Sequence, residues 1–132
     1  MKYIDKHNLI IRDSRPLPYA NTLIWCAEFD SLSTHTDIAV SKFLRELSLL
    51  KRPSSPSLIA VNLNETLVTQ EFAMVMVSSL TSLSYKIKRV AFVGASLSVR
   101  AHMSFALKRT DCFFAYGFFS DYEQAKIWLV SK

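Results

Sequence analysis

The sequence predicts an α/β fold, and three observations lead to that class. Short apolar runs of strand length alternate with longer segments whose apolar residues recur every three or four positions. Polar or proline-containing stretches separate these segments, as loops between elements do. Strands and helices that alternate at this spacing form a mainly parallel sheet covered by helices. The predicted order is β-β-α-β-α-β-α-β-α, a mixed sheet that begins with a hairpin, in one domain spanning residues 1–132.

The first two strands are predicted over residues 8–13 and 22–29. They are joined by SRPLPYAN, whose prolines and asparagine indicate an antiparallel hairpin. Thr34, with Asp37 three residues later, is a variant of the capping box and predicts the start of the first helix. One helical face then recurs at Val40, Phe43, Leu44, Leu47 and Leu50. The proline-containing residues 51–57 end this helix.

Two further β-α units follow. Residues 58–63 and 90–94 are continuous apolar runs, typical of strands buried on both faces. Thr69 is the predicted cap of the helix between them. The inward residues of that helix are Phe72, Val75, Met76, Ser79, Leu80 and Leu83. A third helix is predicted over residues 97–109, and its inward residues are Ala101 and Phe105.

The chain closes with one more strand and helix. Residues 112–119, CFFAYGFF, are the predicted strand. Ser120 and Glu123 form a capping box before the last helix. The apolar face of that helix is formed by Ala125, Trp128 and Leu129.

Composition narrows the class of protein. A chain of 132 residues, 50% of them hydrophobic, is long enough to bury a core of its own. No apolar run approaches the ~20 residues of a membrane span, and the charged N-terminus has no signal-peptide pattern. Cys26 and Cys112 fit no metal or redox spacing, which predicts a reduced, cytoplasmic protein. The net charge of +5 permits an acidic partner without requiring one.

Two long segments carry a family resemblance. Residues 57–96 resemble the central β-α-β of STAS domains, the anti-sigma-factor antagonists. Residues 89–129 resemble the SpoIIAA-like branch found as stand-alone bacterial proteins, whose last helix carries an F-x-D-x-x-x-A-x-x-W-L pattern. Here that pattern is Phe119, Asp121, Ala125, Trp128 and Leu129. The resemblance implies a small mixed sheet, a fold shared with Sec14-type lipid-binding domains, and regulation or ligand sensing rather than catalysis.

The family's phosphorylation switch is not present as such. Switched antagonists carry an Asp-Ser-Ser-Gly turn after the central strand, whereas this chain has Val68-Thr69-Gln70-Glu71. Thr69 is the hydroxyl residue at that place and therefore the candidate phosphoacceptor or switch.

A second candidate site is the turn VGASLSVR. Gly94, Ser96 and Ser98 stand where a strand hands over to a helix, and the positive end of a helix can attract an anion. The turn has a single glycine, so it lacks the pattern of a nucleotide-phosphate loop. A strand end followed by an N-cap serine is the simpler interpretation.

Catalytic and metal chemistry have no visible residue set. His7, His35 and His102 lie in unrelated elements, so no metal or cofactor is expected. No nucleophile stands in a recognisable elbow, which leaves an enzyme as the third-ranked interpretation. The acidic pair of a response regulator is also missing.

Apolar residues offer a third candidate site. Phe114, Tyr116 and Phe118 alternate on one side of the last strand, and Trp25 and Met76 could join them around an apolar pocket or at an interface. The other side of this strand is apolar as well. In a sheet with helices on one face only, that side would need a partner chain or a ligand, which suggests a homodimer.

Basic residues are predicted at the helix C-termini, which share one edge of a parallel sheet. Lys86, Lys88 and Arg89 are the densest group. Complementarity to helix dipoles explains them better than a polyanion site, because no aromatic residues are interleaved for stacking, and no specific nucleic-acid partner is expected. The leading hypothesis is a non-enzymatic regulatory or protein-interaction domain. The alternative is a carrier or sensor of a small apolar, lipid-like ligand.

Overall fold

The computed structural model describes residues 11–132, which form a five-stranded mixed sheet and four helices. The elements are β1 (Arg15–Tyr19), β2 (Thr22–Glu28), α1 (Thr36–Leu50), β3 (Leu58–Asn62), α2 (Gln70–Ser82), β4 (Arg89–Val93), α3 (Leu97–Lys108), β5 (Ala115–Phe119) and α4 (Tyr122–Val130). The predicted α/β class and element order are confirmed.

The strands lie side by side in chain order. β1 is antiparallel to β2, and β2 to β5 are parallel. In one row across the parallel strands, Ile24 of β2 lies opposite Leu58, which lies opposite Arg89, which lies opposite Ala115. All four parallel strands therefore end at one edge of the sheet, here called the carboxyl edge. Ligands of open α/β sheets bind at this edge.

The hairpin is present, but its first strand is not where the sequence predicted it. Residues 11–13 are not in a strand, and residues 8–10 lie outside the described part of the chain. The strand is instead RPLPY, because a two-residue turn at Ala20 and Asn21 closes the hairpin directly before β2. Both turn residues have positive φ, 47° and 64°, as in a type I′ turn. Proline is acceptable in β1 because β1 is an edge strand.

Helices cover both faces of the sheet. α1, α2 and α3 enclose the larger core, in which the rings of Phe29, Phe43 and Phe72 lie within 6.4 Å of one another. α4 crosses the opposite face and encloses a smaller core around Ala125 and Leu129. The second face of β5 thus packs against α4, where Phe119 lies 5.4 Å from Trp128. The sheet therefore has helices on both faces, and the condition under which this face would need a partner chain or a ligand is not met.

Two of the predicted caps are confirmed and two are shifted. Thr69 caps α2 and Ser96 caps α3 with their hydroxyl groups. The first helix has His35, not Thr34, at its N-cap, and the last has Asp121, whose side chain accepts from the amide of Glu123. Each shift is one residue, the usual uncertainty of helix boundaries.

The predicted inward face of α3 is wrong. Ala101 and Phe105 are exposed, and Met103 and Leu107 are the fully buried residues. α3 carries apolar residues at too many angles for spacing alone to select the buried side. Met103 and Leu107 pack into the core, and the remaining apolar residues form a stripe on the outer surface.

The hairpin turn gives a stability prediction. Ala20 occupies a left-handed conformation that costs a β-carbon residue about 1 kcal/mol or more, whereas glycine adopts it without strain. We expect Ala20→Gly to raise the free energy of unfolding by roughly 0.5–1 kcal/mol. Ala101→Gly, in the right-handed conformation of α3, is the matched control and should lower it by about 1 kcal/mol. Urea denaturation measures both, and a loss of stability in Ala20→Gly would contradict the prediction.

Candidate functional site

α2 and α3 begin at the carboxyl edge and enclose a cleft between their first turns. This α2–α3 cleft has a volume of about 230 Å³. It is lined by Val68, Thr69, Gln70, Ala73, Ser98, Val99 and His102. Thr69 and Ser98, which the sequence singled out in separate segments, therefore lie on the same cleft.

The cleft combines polar walls with an apolar base. Thr69 Oγ1 accepts a hydrogen bond from the Phe72 amide at 3.2 Å, so this hydroxyl already holds the first turn of α2. The hydroxyl of Ser98 lies 3.3 Å from that of Ser96. Gln70 and His102 are exposed at the rim and add an amide and an imidazole. Because two helices point their N-termini at the cleft, negative charge is favoured there.

Large exposed apolar side chains stand next to cleft residues in the sequence. Leu67 precedes Val68 and is 41% exposed, and Met74 follows Ala73 and is 60% exposed. Single exposed apolar residues are ordinary, but two next to residues of one cleft indicate a surface suited to another apolar surface.

Gly94 has a packing explanation. Its φ is 84°, and a β-carbon there would lie 2.3 Å from Asn64 Oδ1. The glycine lets the loop after β3 approach the end of β4. The proposed anion site at Gly94, Ser96 and Ser98 stays a prediction: Ser96 caps α3, and Ser98 faces the α2–α3 cleft.

A polar network lies at the carboxyl edge, on the face of the sheet that α4 covers. The sequence did not predict it. Tyr122 Oη donates to Glu28 Oε1 at 2.7 Å, and Asn62 Nδ2 donates to Glu28 Oε2 at 3.2 Å. Asn62 Oδ1 in turn accepts from the side chain and amide of Asn64. The network borders a polar pocket of about 240 Å³, which Cys26 also lines.

Burial is the main cause of the pKa shifts of the side chains in this pocket. It raises the pKa of the Tyr122 phenol far above its usual range, and the hydrogen bonds to Cys26 and Glu28 add to the shift. Burial also raises the pKa of the Cys26 thiol. A thiol with a raised pKa is a poor nucleophile.

The predicted apolar pocket is mostly core. Met76 and Phe114 are buried, and the half-buried Tyr116 and Phe118 pack against the same core, where Phe118 stacks on Phe92 at 5.4 Å. Trp25 is likewise buried in this core, but it also borders a surface groove of about 340 Å³. The other residues lining that groove are Ser14, Pro16, Leu23, Leu49, Arg52, Ser54, Ser55 and Pro56.

Two residues of the basic group are committed to helix ends. Lys86 Nζ donates to the carbonyl of Leu50 at 2.6 Å and to that of Arg52, at the end of α1. Arg89 Nη1 donates to the carbonyls of Trp128 and Ser131, at 2.6 and 2.7 Å, at the end of α4. Both cations thus satisfy C-terminal carbonyls, as the dipole interpretation expects, although not those of the helix nearest in sequence.

No group of three or more His, Cys, Asp or Glu side chains in residues 11–132 could hold a metal ion. No helix in the same range is long and apolar enough to cross a membrane. His7 lies outside the described residues.

Sequence reasoning missed part of both sites. Gln70 and His102 complete the α2–α3 cleft, and the four-residue spacing of Ser98 and His102 on one helix face was an available signal. Glu28, Asn62 and Tyr122 meet only through the fold, because they come from three elements.

The chain was compared with protein-family models, with curated proteins and with solved structures, and none of the three comparisons finds a match.

The buried phenol predicts a specific alkaline response. A pKa that is higher in the folded state means that the unfolded chain loses its proton first, so stability falls as the pH rises above the unfolded value near 10. We expect the wild type to lose about 1.4 kcal/mol of stability per pH unit more than Tyr122→Phe above pH ~10. Urea denaturation at stepped alkaline pH measures the difference. Parallel curves for the two proteins would contradict the prediction.

Proposed function

We propose that this chain is a non-enzymatic interaction domain of the STAS, SpoIIAA-like type, which acts in the cytoplasm and binds a regulatory protein at the α2–α3 cleft. The observation that carries the proposal is that Thr69 and Ser98, from separate segments, line one cleft at two helix N-termini. The family resemblance supports the class of function.

Partner chemistry follows from the surface of the cleft. The exposed side chains of Leu67 and Met74 favour an apolar contact, and the helix N-termini favour a carboxylate or another anionic group. A partner segment that combines an apolar side chain with an acidic one fits both features. The cleft is small, so it anchors one or two side chains of a wider interface.

Thr69 is the residue at which this interaction can be switched. Its hydroxyl accepts from the Phe72 amide and is half-buried at the cleft, so a phosphate there would sit at the positive end of α2. Phosphorylation would leave α2 capped, because phosphate oxygens also accept hydrogen bonds, and would place negative charge where the partner's acidic group binds.

Photo-crosslinking tests the partner surface. A photoreactive residue replaces Met74 beside the cleft, and the matched control carries it at Tyr85, which is 78% exposed and lies beyond the far end of α2. In cells that produce the protein, we expect a discrete crosslinked protein from position 74 and not from position 85. Equal products from both positions, or none from position 74, would count against the cleft.

Variants of Thr69 test the switch. Aspartate and serine both cap helices, so Thr69→Asp and Thr69→Ser should keep the stability of the wild type, whereas Thr69→Ala should lose about 1 kcal/mol. We expect Thr69→Asp to lower the yield of the position-74 crosslink at least about tenfold through like-charge repulsion. Thr69→Ser should leave it unchanged. Equal yields for the two variants would reject Thr69 as the switch.

The alternative function is a carrier or sensor of a small apolar molecule. The groove beside Trp25 is the observation that favours it, since Pro16, Leu23 and Leu49 give it an apolar lining. Native mass spectrometry of protein purified without detergent distinguishes the two functions. The interaction role predicts masses of whole chains only, and a defined added mass of lipid size would favour the carrier.

Self-association belongs to the same proposal. Phe113, Phe105 and Leu97 are 81%, 63% and 81% exposed around β5 and α3. Three large apolar side chains exposed on these neighbouring segments of a small domain support a homodimer.

A further inference from the structure

We infer that β5 pairs antiparallel with β5 of a second copy, about a two-fold axis at Gly117, and that the outer stripe of α3 packs against its own copy. This inference rests on the proposed self-association and names its surface. The stripe consists of Leu97, Ala101 and Phe105.

β5 is an edge strand with unused backbone groups. Within residues 11–132 it pairs with β4 alone. The amide of Ala115 donates to the carbonyl of Lys88, and the carbonyl of Phe119 accepts from the amide of Gly94. Because strand groups alternate sides, residues 115, 117 and 119 bond inward, and Tyr116 and Phe118 direct their N–H and C=O groups to the open edge.

The register of the inferred pairing follows from this alternation. A two-fold axis at Gly117 places Tyr116 opposite Phe118 of the second copy. Both residues have outward groups, so each such pair exchanges two hydrogen bonds, and the two-fold repeats the pair. The edge is thus complementary to itself without any change in the ladder to β4.

The two edges of the sheet differ in their protection. β1, at the other edge, contains Pro16 and Pro18, which lack N–H groups, and begins with the exposed Arg15. Prolines and charges are the devices by which proteins keep sheet edges from pairing. β5, with the sequence AYGFF, has neither. The open edge is therefore the one that can receive another strand.

α3 supplies a matching side-chain surface. Leu97, Ala101 and Phe105 repeat every four residues, with the small residue in the middle. Antiparallel packing of α3 on its copy near Ala101 sets Leu97 against Phe105 at both ends and brings the helices together at the alanine. A partner unrelated to this chain would not be expected to match this large-small-large order.

Charge selects the antiparallel orientation. The exposed Lys108 and Arg109 lie where α3 ends and β5 is about to begin, whereas the exposed Asp121 and Glu123 follow the end of β5. In an antiparallel pair the basic residues before β5 of one copy adjoin the acidic residues after β5 of the other. A parallel pair would place like charges together at both ends of β5.

Four variants test the surface by analytical ultracentrifugation. Tyr116→Pro removes an outward N–H, and Tyr116→Ala removes the same ring but keeps the N–H. Ala101→Glu places two carboxylates at the two-fold axis, and Ser78→Glu adds the same charge to the exposed surface of α2. We expect wild type, Tyr116→Ala and Ser78→Glu to sediment as dimers, at twice 15.0 kDa. Tyr116→Pro and Ala101→Glu should raise the dimer dissociation constant at least about tenfold.

Hydrogen exchange reads the backbone pairing directly. The amides of Tyr116 and Phe118 should exchange at least about tenfold more slowly in the dimer than after dilution to monomer. This measurement and the Ala101→Glu and Ser78→Glu pair decide the question if Tyr116→Pro does not fold.

The outcomes distinguish dimerisation through β5 and α3, here called the β5 surface, from dimerisation through any other surface. A wild type that stays monomeric at high micromolar concentration overturns both, and leaves the partner at the α2–α3 cleft to its own crosslinking test. A dimer that survives Ala101→Glu with both amides unprotected overturns the β5 surface and keeps the dimer.

Discussion

Glu28, at the end of β2, is the residue through which the layers of this fold are joined. Its carbonyl accepts from Lys42 Nζ of α1 at 2.7 Å, on one face of the sheet, while its carboxylate accepts from Tyr122 of α4 on the other. The same carboxylate accepts from Asn62 of the neighbouring strand. One residue thus ties both helical layers to the carboxyl end of β2 and, through Asn62, to β3.

Lys42 shows how far the fold depends on this junction. The residue is 1% exposed, yet its ammonium group has several partners: Glu28, the hydroxyl of Ser14 at 3.0 Å, Glu46 at 3.1 Å and the ring of Phe29 at 4.1 Å. Burying a cation is costly unless it is paired and hydrogen-bonded, and these contacts meet that condition. The arrangement fixes α1 at one position on the sheet.

The network continues to the proposed partner surface. From Glu28 it passes through Asn62 to Asn64, whose side chain occupies the space that the missing β-carbon of Gly94 leaves. Two residues after Gly94, Ser96 begins the first turn of α3. The position of Ser98 on the α2–α3 cleft is therefore set by contacts that start on β2. Rigid placement of this kind suits a surface that must present side chains to another protein.

The sequence allowed the strands to be located better than the sites. Leu58–Asn62 and Arg89–Val93 are short, wholly apolar runs apart from their ends, and such runs have few other uses. The position of α3 was predicted, but its buried side was not. Its apolar residues surround the helix, so spacing could not show that Met103 is buried and Phe105 exposed. Glu28 and Tyr122 could not be paired in advance, since 94 positions separate them along the chain. Thr69 and Ser98 could be named singly, and only the packing of α2 on α3 joins them.

α3 explains why one small domain can support two contacts. Its inner side supplies Met103 and Leu107 to the core, the side towards α2 supplies Ser98 and His102 to the cleft, and the outer side presents Leu97, Ala101 and Phe105. A helix shows three such sides whenever its neighbours leave two of them uncovered. In the inferred dimer, the outer stripe becomes an interface while the cleft stays open. Both surfaces belong to one rigid helix, so a shift of α3 at the two-fold axis would also move the cleft residues of both copies. Self-association could therefore change partner binding.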